Sequence, residues 1–575
     1  MAAPSSAVGA GAPGWEVPVR TRLLPIALIP LLCAAACTPF SDEPAPAPDE
    51  PSRLAVSTSA PDDRMTVIAD ADPVATAVTM SRTLFDRTPV VVLARDGDRA
   101  GTLLAASAAV GLGVPLLMGP EDGGMPEVLT AEIARLGSGT VLAVGVAADG
   151  APDAAWPGNY DVVPVPSDAE ALAATTGLTF EPADPVASHN DPATVAALDP
   201  AAPVALRLEE TPGASSSARP DESLPPLDRP EPLRGTVVLA TGEAASTAAL
   251  ATARAAGASV SLTSGEADPR RSEEALDVLA RWEAESVVAV GAGFAAEEGL
   301  EWKLATAATG ARLPGGGQVL FPGRMLVALY GHPGSGALGV LGEQPLEAAV
   351  ERARAHAAPY EALLGTTVVP AFEIIATVAS SSAGPDGNYS AEAEPDVLRP
   401  WVEAAGEAGM YVVLDLQPGR TDFVTQAERY RSLLEQPHVG LALDPEWRLG
   451  SDDVHLTQIG SVDVEEVNRV VTWLADLTRE NALPQKLLLL HQFRLDMIPG
   501  RERLDTSRDE LAVMVHADGQ GSQGDKQATW RALHQGAPSS LWWGWKNFYD
   551  EDLPMLAPEQ TISQVIPVPD LISYQ

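Results

Sequence analysis

Val439-Gly440-Leu441-Ala442-Leu443-Asp444-Pro445-Glu446 is the stretch on which the fold turns. Side chains alternate across a strand, so Val439, Leu441 and Leu443 share one face, and Gly440, Ala442, Asp444 and Glu446 share the other. A bulky apolar face suits a covering layer of helices, and small residues that give way to acids suit the inside and mouth of a barrel. Comparable apolar runs recur around it, at Met325 to Tyr330, Thr367 to Ile375, Met410 to Leu416, Lys486 to Leu490, Leu511 to Val515, Ser540 to Trp545 and Leu571 to Tyr574. Between them Pro345 to Leu364, Pro400 to Ala408, Thr425 to Leu434 and Val464 to Asn481 repeat with the 3.6-residue period of amphipathic helices. Seven or eight such β/α units over roughly 250 residues predict a TIM-barrel-like (β/α)8 domain across 321–575.

Polar residues cluster where these strands end, and barrel strand ends converge on one mouth. By alternation Asp415 lies on the face of Tyr411 and Val413, and Glu373 on that of Ala371. Glu446, Asp444, Asp415 and Glu373 are therefore the candidate catalytic residues. Tyr330, His332, Arg420, His491, His516, Trp543, Trp545 and Lys546 are the candidate substrate contacts. Clustered carboxylates serve glycosidic cleavage, in which one protonated acid donates to the leaving oxygen and neighbouring acids raise one another's pKa. Trp542-Trp543-Gly544-Trp545 presents rings of both parities, so at least one indole is expected at the mouth for a sugar to stack on. Asp444-Pro445-Glu446-Trp447 resembles the strand-four end of chitinase-like glycoside hydrolases, which implies Glu446 as the acid; the first aspartate of that pattern is replaced here by Ala442. That replacement favours a second reading, a noncatalytic glycan-binding or scaffold module. A third is a metal-dependent hydrolase using His332, His491, His516 and the acids. No closely spaced histidine pair supports it, so the sequence indicates no metal and no cofactor.

The N-terminal half carries an internal duplication. Val91-Val92-Leu93-Ala94 returns as Val237-Val238-Leu239-Ala240, Gly111 as Gly257, Ala134-Arg135 as Ala280-Arg281, and Ala143-Val144-Gly145 as Ala289-Val290-Gly291, always 146 residues later. Each copy alternates apolar strands with helices, which predicts a parallel sheet covered on both faces, a small Rossmann-like module. The expected modules span 63–208 and 233–320, separated by an acidic, proline-rich linker at 209–232. Val90-Val91-Val92-Leu93-Ala94, Gly113-Val114-Pro115-Leu116-Leu117-Met118 and Val141-Leu142-Ala143-Val144-Gly145 resemble cell wall-binding repeat 2, as does the preceding helix Ala75 to Arg82. The resemblance covers about residues 65–320 and implies noncovalent attachment to anionic wall polymers.

Both cysteines, Cys33 and Cys37, lie at the exit of the apolar run Leu23 to Ala36, which is too short to span a bilayer and follows Arg20 and Arg22. Ala34-Ala35-Ala36-Cys37 resembles a lipobox, so 1–36 is expected to be a lipoprotein signal peptide and Cys37 the lipidated residue. The opening Met1 to Val19 is longer than a usual charged region and points to a start codon further downstream. Residues 37–62 read as a disordered Pro/Ala/Asp/Glu tether. The expected location is the extracellular face of the membrane, held by a lipid anchor, with a cell-wall or extracellular glycan as partner. A balance of 37 basic against 78 acidic residues, net −41, argues against nucleic acid. Arginine and alanine abound and lysine occurs at four positions only, the usage of a high-GC, actinobacterial genome.

Overall fold

Eight strands close on themselves in the C-terminal half of the computed structural model, which describes residues 53–145, 158–187, 190–209, 223–282 and 284–575. The expected signal peptide, Cys37, the tether as far as residue 52 and most of the linker lie outside the described residues. The barrel strands, first to eighth, are Arg324–Gly331, Thr367–Ala379, Tyr411–Leu416, Val439–Leu443, Lys486–Gln492, Leu511–Ala517, Trp542–Asn547 and Leu571–Tyr574. All neighbours are parallel, and the ring closes where the first strand pairs with both the second and the eighth. Parallel pairing requires a long crossover, and helices Leu346–Leu364, Pro395–Glu407, Phe423–Arg429, Val464–Glu480, Gln523–His534 and Pro558–Gln564 supply six of them. The expectation of a helix in every unit fails between the fifth and sixth strands. That connection, which contains Pro499-Gly500, holds only the 3₁₀ turns Leu495–Met497 and Arg501–Arg503. There the buried Arg501 guanidinium ties the loop to the side-chain oxygen of Gln492 at 2.6 Å.

The outward faces of the strands pack with the helices into one apolar layer that includes Val412, Leu414, Leu441, Leu443, Leu488 and Leu490. The inward faces fill the lower barrel with Leu326, Ala328, Ala371, Val413, Ala442 and Leu489, and Leu313, Leu320 and Phe321 of the preceding segment close the bottom. The barrel is thus a packed core below and has room only at its upper, C-terminal end.

Two four-stranded parallel sheets precede it. In one, the order is Leu116–Gly119, Val90–Arg95, Thr140–Val144, Asp161–Val165; in the other, Ser259–Leu262, Thr236–Ala240, Ser286–Val290, Met65–Ile68. The 146-residue spacing holds at the level of elements: helices Glu127–Leu136 and Glu273–Trp282 begin and end one period apart. The fourth strand breaks the pattern, because Met65–Ile68, from ahead of the first copy, pairs in the second copy's sheet. The copies consequently share a core, in which Leu103 and Leu116 of one pack in the same cluster as Val238 and Leu250 of the other.

The second sheet's helices meet the barrel opposite its mouth. Lys303, almost fully buried, pairs with Glu297 and with Asp509 just ahead of the sixth strand, and Arg270 and Arg479 lie over the Trp302 ring at 4.5 and 5.0 Å. Among the described residues, no helix is long and apolar enough to cross a membrane.

Candidate active site at the barrel mouth

Two residues above the apolar layer, every strand turns polar on its inward face: Tyr330, Glu373, Asp415, Asp444, His491, His516, Lys546 and Ser573, all buried. Their contacts form one network. The Tyr330 hydroxyl donates to Asp415 Oδ2 at 2.9 Å and accepts from Gln417 Nε2 at 3.3 Å. His491 Nδ1 bonds Asp518 Oδ2 at 2.9 Å, while its Nε2 lies 2.8 Å from Glu373 Oε1 and 3.8 Å from Asp415 Oδ1. The 2.8 Å contact is off the axis of a hydrogen bond, so it is an attraction of charges rather than a directed bond. The Lys546 ammonium sits 3.6 Å from Asp518 Oδ2 and 3.5 Å above the Tyr330 ring. His516 Nε2 forms a hydrogen bond with Ser573 Oγ at 3.2 Å and turns Nδ1 toward Glu373 at 3.9 Å.

Burial sets the protonation of this layer, and the charges within it decide each case. Burial raises Asp444 well above the usual carboxylate range against the attraction of His491, and repulsion from Asp415, Asp518 and Glu446 acts with burial. Burial lifts Asp415 to about 6 despite His491. Glu373, equally buried, is held below its ordinary value by His491 and His516, and His491 is held well above its own by Glu373 and Asp518. Burial pushes His516 down to about 3. Lys546 and His491 overcome burial at Asp518 and hold it low.

Above the layer opens a cavity of about 680 Å³, lined by Tyr330, Asp444, Glu446, Trp447, Asp518 and Lys546 among others. Glu446 is half-buried on the 3₁₀ turn Pro445–Trp447, and its carboxylate makes no hydrogen bond or ion pair within the described chain. Burial, then repulsion from Asp518, lifts it to about 7, against the pull of Lys546 and His491.

The four candidate carboxylates do not all face one space. Asp444 and Glu446 line the cavity, whereas Glu373 and Asp415 are sealed beneath its floor with His491 and His516. Tyr330 and Lys546 line the cavity too. Other expected contacts fall outside it. The first strand ends at Gly331, and His332 just beyond it turns its Nδ1 to the Ile375 carbonyl at 2.9 Å. Arg420 donates to the Asp453 carbonyl and covers the Tyr389 ring, bracing loops rather than facing the mouth. Trp543 and Trp545 lie on the outer face, where Trp543 stacks on His534 at 3.5 Å and Trp545 packs against Trp530. Trp542 has the inward parity but sits at the lower end, 5.1 Å from Phe321, so no indole of this run reaches the mouth. The indole that lines the cavity is Trp447, stacked on His455 with ring centroids 4.9 Å apart. Asp518, Gln417 and Ser573 also join the network; the period-2 count that finds His516 and Leu571 extends to Asp518 and Ser573.

No family model matches the sequence, and no curated protein matches it. Among solved structures, the chain is similar to Cwp6 from Clostridium difficile, at 16% identity and a TM-score of 0.31 over 57% of this chain and 64% of that one. It is also similar to Cwp8 from Clostridium difficile, at 15% identity and a TM-score of 0.30 over 44% of this chain and 52% of that one. The chain thus spans less than two thirds of either neighbour, and overlaps at these scores carry no statement about function.

Proposed function

We propose that this is a cell-surface protein whose barrel hydrolyses a wall or extracellular glycan, with Glu446 as the proton donor. The observation that carries the reading is the placement of Glu446: its carboxyl lines the cavity and makes no hydrogen bond or ion pair among the described residues, and burial lifts its pKa to about 7. A general acid needs those three properties together. Glu373 and Asp415 lack access, and Asp444 is spent capping the turn, where its Oδ1 accepts from the Glu446 amide at 3.2 Å. Asp518 lines the same cavity and is the carboxylate that would face the positive sugar carbon. Trp447 supplies an apolar wall for a ring. We read the two N-terminal sheets as Rossmann-like modules of the wall-binding kind, and Cys37 as the lipidated anchor. The repeat-like strands, the 146-residue spacing and the lipobox-like run support that placement.

The test is reducing-end release from purified wall polysaccharide by the chain and by its Glu446→Gln variant. Loss of an acid catalyst lowers turnover by about 10²- to 10⁴-fold with the melting temperature unchanged. Equal turnover by the variant removes Glu446 from the chemistry. Retained binding with no turnover by either protein selects the noncatalytic glycan-binding reading, which Ala442 favours.

A further inference from the structure

We propose that Glu373, His491 and His516 form a binding site for one divalent transition-metal ion of the zinc class beneath the cavity floor. Its three ligands are distinct from Glu446, although Asp518 adjoins both, and the site stands whether or not Glu446 is the proton donor.

The placement of donor atoms points to it. One ligand atom from each of the three residues lies within 4.8 Å of the other two, and all three side chains are fully buried. Glu373 Oε1 is 2.8 Å from His491 Nε2 and 3.9 Å from His516 Nδ1. Bond lengths of about 2.1 Å in a tetrahedral site put ligand atoms roughly 3.4 Å apart, so an ion requires the 2.8 Å pair to open by about 0.6 Å and the 3.9 Å pair to close by about 0.5 Å.

The hydrogen-bond accounting gives an independent reason. Both Glu373 oxygens, Asp415 Oδ1, His491 Nε2 and His516 Nδ1 are buried without a hydrogen-bond partner; His491 Nε2 lies 2.8 Å from Glu373 Oε1 and 3.8 Å from Asp415 Oδ1, and His516 Nδ1 lies 3.9 Å from Glu373 Oε1. A buried polar atom left unpaired is costly, and several converging on one point indicate a group that satisfies them together. A cation does so by displacing the proton on His491, after which each of these atoms offers a lone pair. The remaining ring nitrogens are held from behind: His491 Nδ1 by Asp518 at 2.9 Å and His516 Nε2 by Ser573 at 3.2 Å. Such outer partners fix the tautomer and aim of metal-ligating imidazoles. Glu373 and Asp415 bring carboxylate oxygens to the point, Asp518 stands behind His491, and Lys546 is the one lysine among the eight inward residues of the layer. Two imidazoles with one carboxylate suit zinc or iron(II) rather than calcium or magnesium, which prefer oxygen alone.

The experiment strips the full chain with a chelator and titrates it with Zn²⁺ and with Co²⁺, in excess Mg²⁺ to occupy surface carboxylates. One ion per chain is expected, with Co²⁺ absorption bands of nitrogen-ligated geometry and a raised melting temperature. Glu373→Gln and His516→Gln should each weaken binding by more than about 100-fold, and Ser573→Ala by about 10-fold, as outer-partner losses do. No retained ion in the wild type, or equal affinity in both ligand variants, overturns the site. Should the ligand variants fail to fold, the wild-type Co²⁺ spectrum and Ser573→Ala decide, and an oxygen-only spectrum or an unshifted affinity overturns it.

Discussion

Replacing Lys526 by methionine isolates a buried charge that holds the seventh strand's end in place. Lys526, on the helix Gln523–His534, has its Nζ 2.8 Å from Asp552 Oδ2 and donates to the Lys546 carbonyl at 2.7 Å; both ion-pair side chains are almost wholly buried. Methionine keeps the length and removes the charge, so the Asp552 carboxylate loses its cation and the Lys546 carbonyl its donor. Breaking one side of a buried pair costs about 3–5 kcal/mol. Asp552 still accepts from the Phe548 amide at 3.0 Å and the Gly521 amide at 3.3 Å, which places the loss near the lower end, about 3 kcal/mol. At about 2–4 °C per kcal/mol for a domain of this size, the barrel's midpoint should fall by roughly 6–12 °C. Tryptophan fluorescence during thermal unfolding reports it, because Nζ lies 4.9 Å from the Trp545 ring. Adding Asp552→Asn should restore part of the loss by removing the stranded charge. A midpoint unmoved by the single variant, or lowered further by the double one, refutes the reasoning.

Three further outcomes follow from other parts of the molecule. Glu132 is buried and accepts from Ser81, Arg82 and Arg135 at 2.6–2.9 Å; burial alone would raise its pKa, but these donors hold it below the ordinary value. A depressed folded pKa stabilises the protein fully above the unfolded value and is lost as pH falls through the folded one, so the wild type should lose stability below about pH 4 more steeply than Glu132→Gln in acid-titrated unfolding curves. Gly440→Ala should destabilise the barrel by about 1–3 kcal/mol in denaturant melts, since a Cβ there would meet the Leu487 carbonyl at 2.7 Å and the Tyr411 hydroxyl at 2.9 Å. Trp447→Ala should raise KM for the glycan by roughly 3- to 10-fold with kcat little changed, the worth of one stacking contact.

The barrel was legible because its signal is local. Alternation along Val439 to Glu446 assigns faces without knowledge of neighbours, and the same count places Glu373 and Asp415 inward. Depth along a strand is not local. Trp542 and Lys546 share a parity, yet one packs on Phe321 at the bottom and the other reaches the cavity, because the register with Met514 and Ser573 decides the level. Level also separates Glu446 from Glu373, which sequence places among equivalent acids although one lines the cavity and the other is sealed below. His332 departs because it lies just past the end of the first strand, where its ring bonds the Ile375 carbonyl. The pairing of Met65–Ile68 with the second copy's sheet joins residues more than 200 positions apart, which no short pattern announces. Histidines in separate strands, His491 and His516, become neighbours only through strand pairing, so spacing in sequence gave no hint of their juxtaposition.

The most direct measurement is the titration of the Glu446 carboxyl in the folded chain, by carbon NMR of glutamate-labelled protein with Glu446→Gln to assign the resonance. Burial beside Asp518 predicts a midpoint near 7, with any hydrolytic rate falling as pH rises through that value. A midpoint near 4.3, the value of a solvated glutamate, would mean that the carboxyl is ionised at neutral pH and has no proton to give, contradicting its role as the acid.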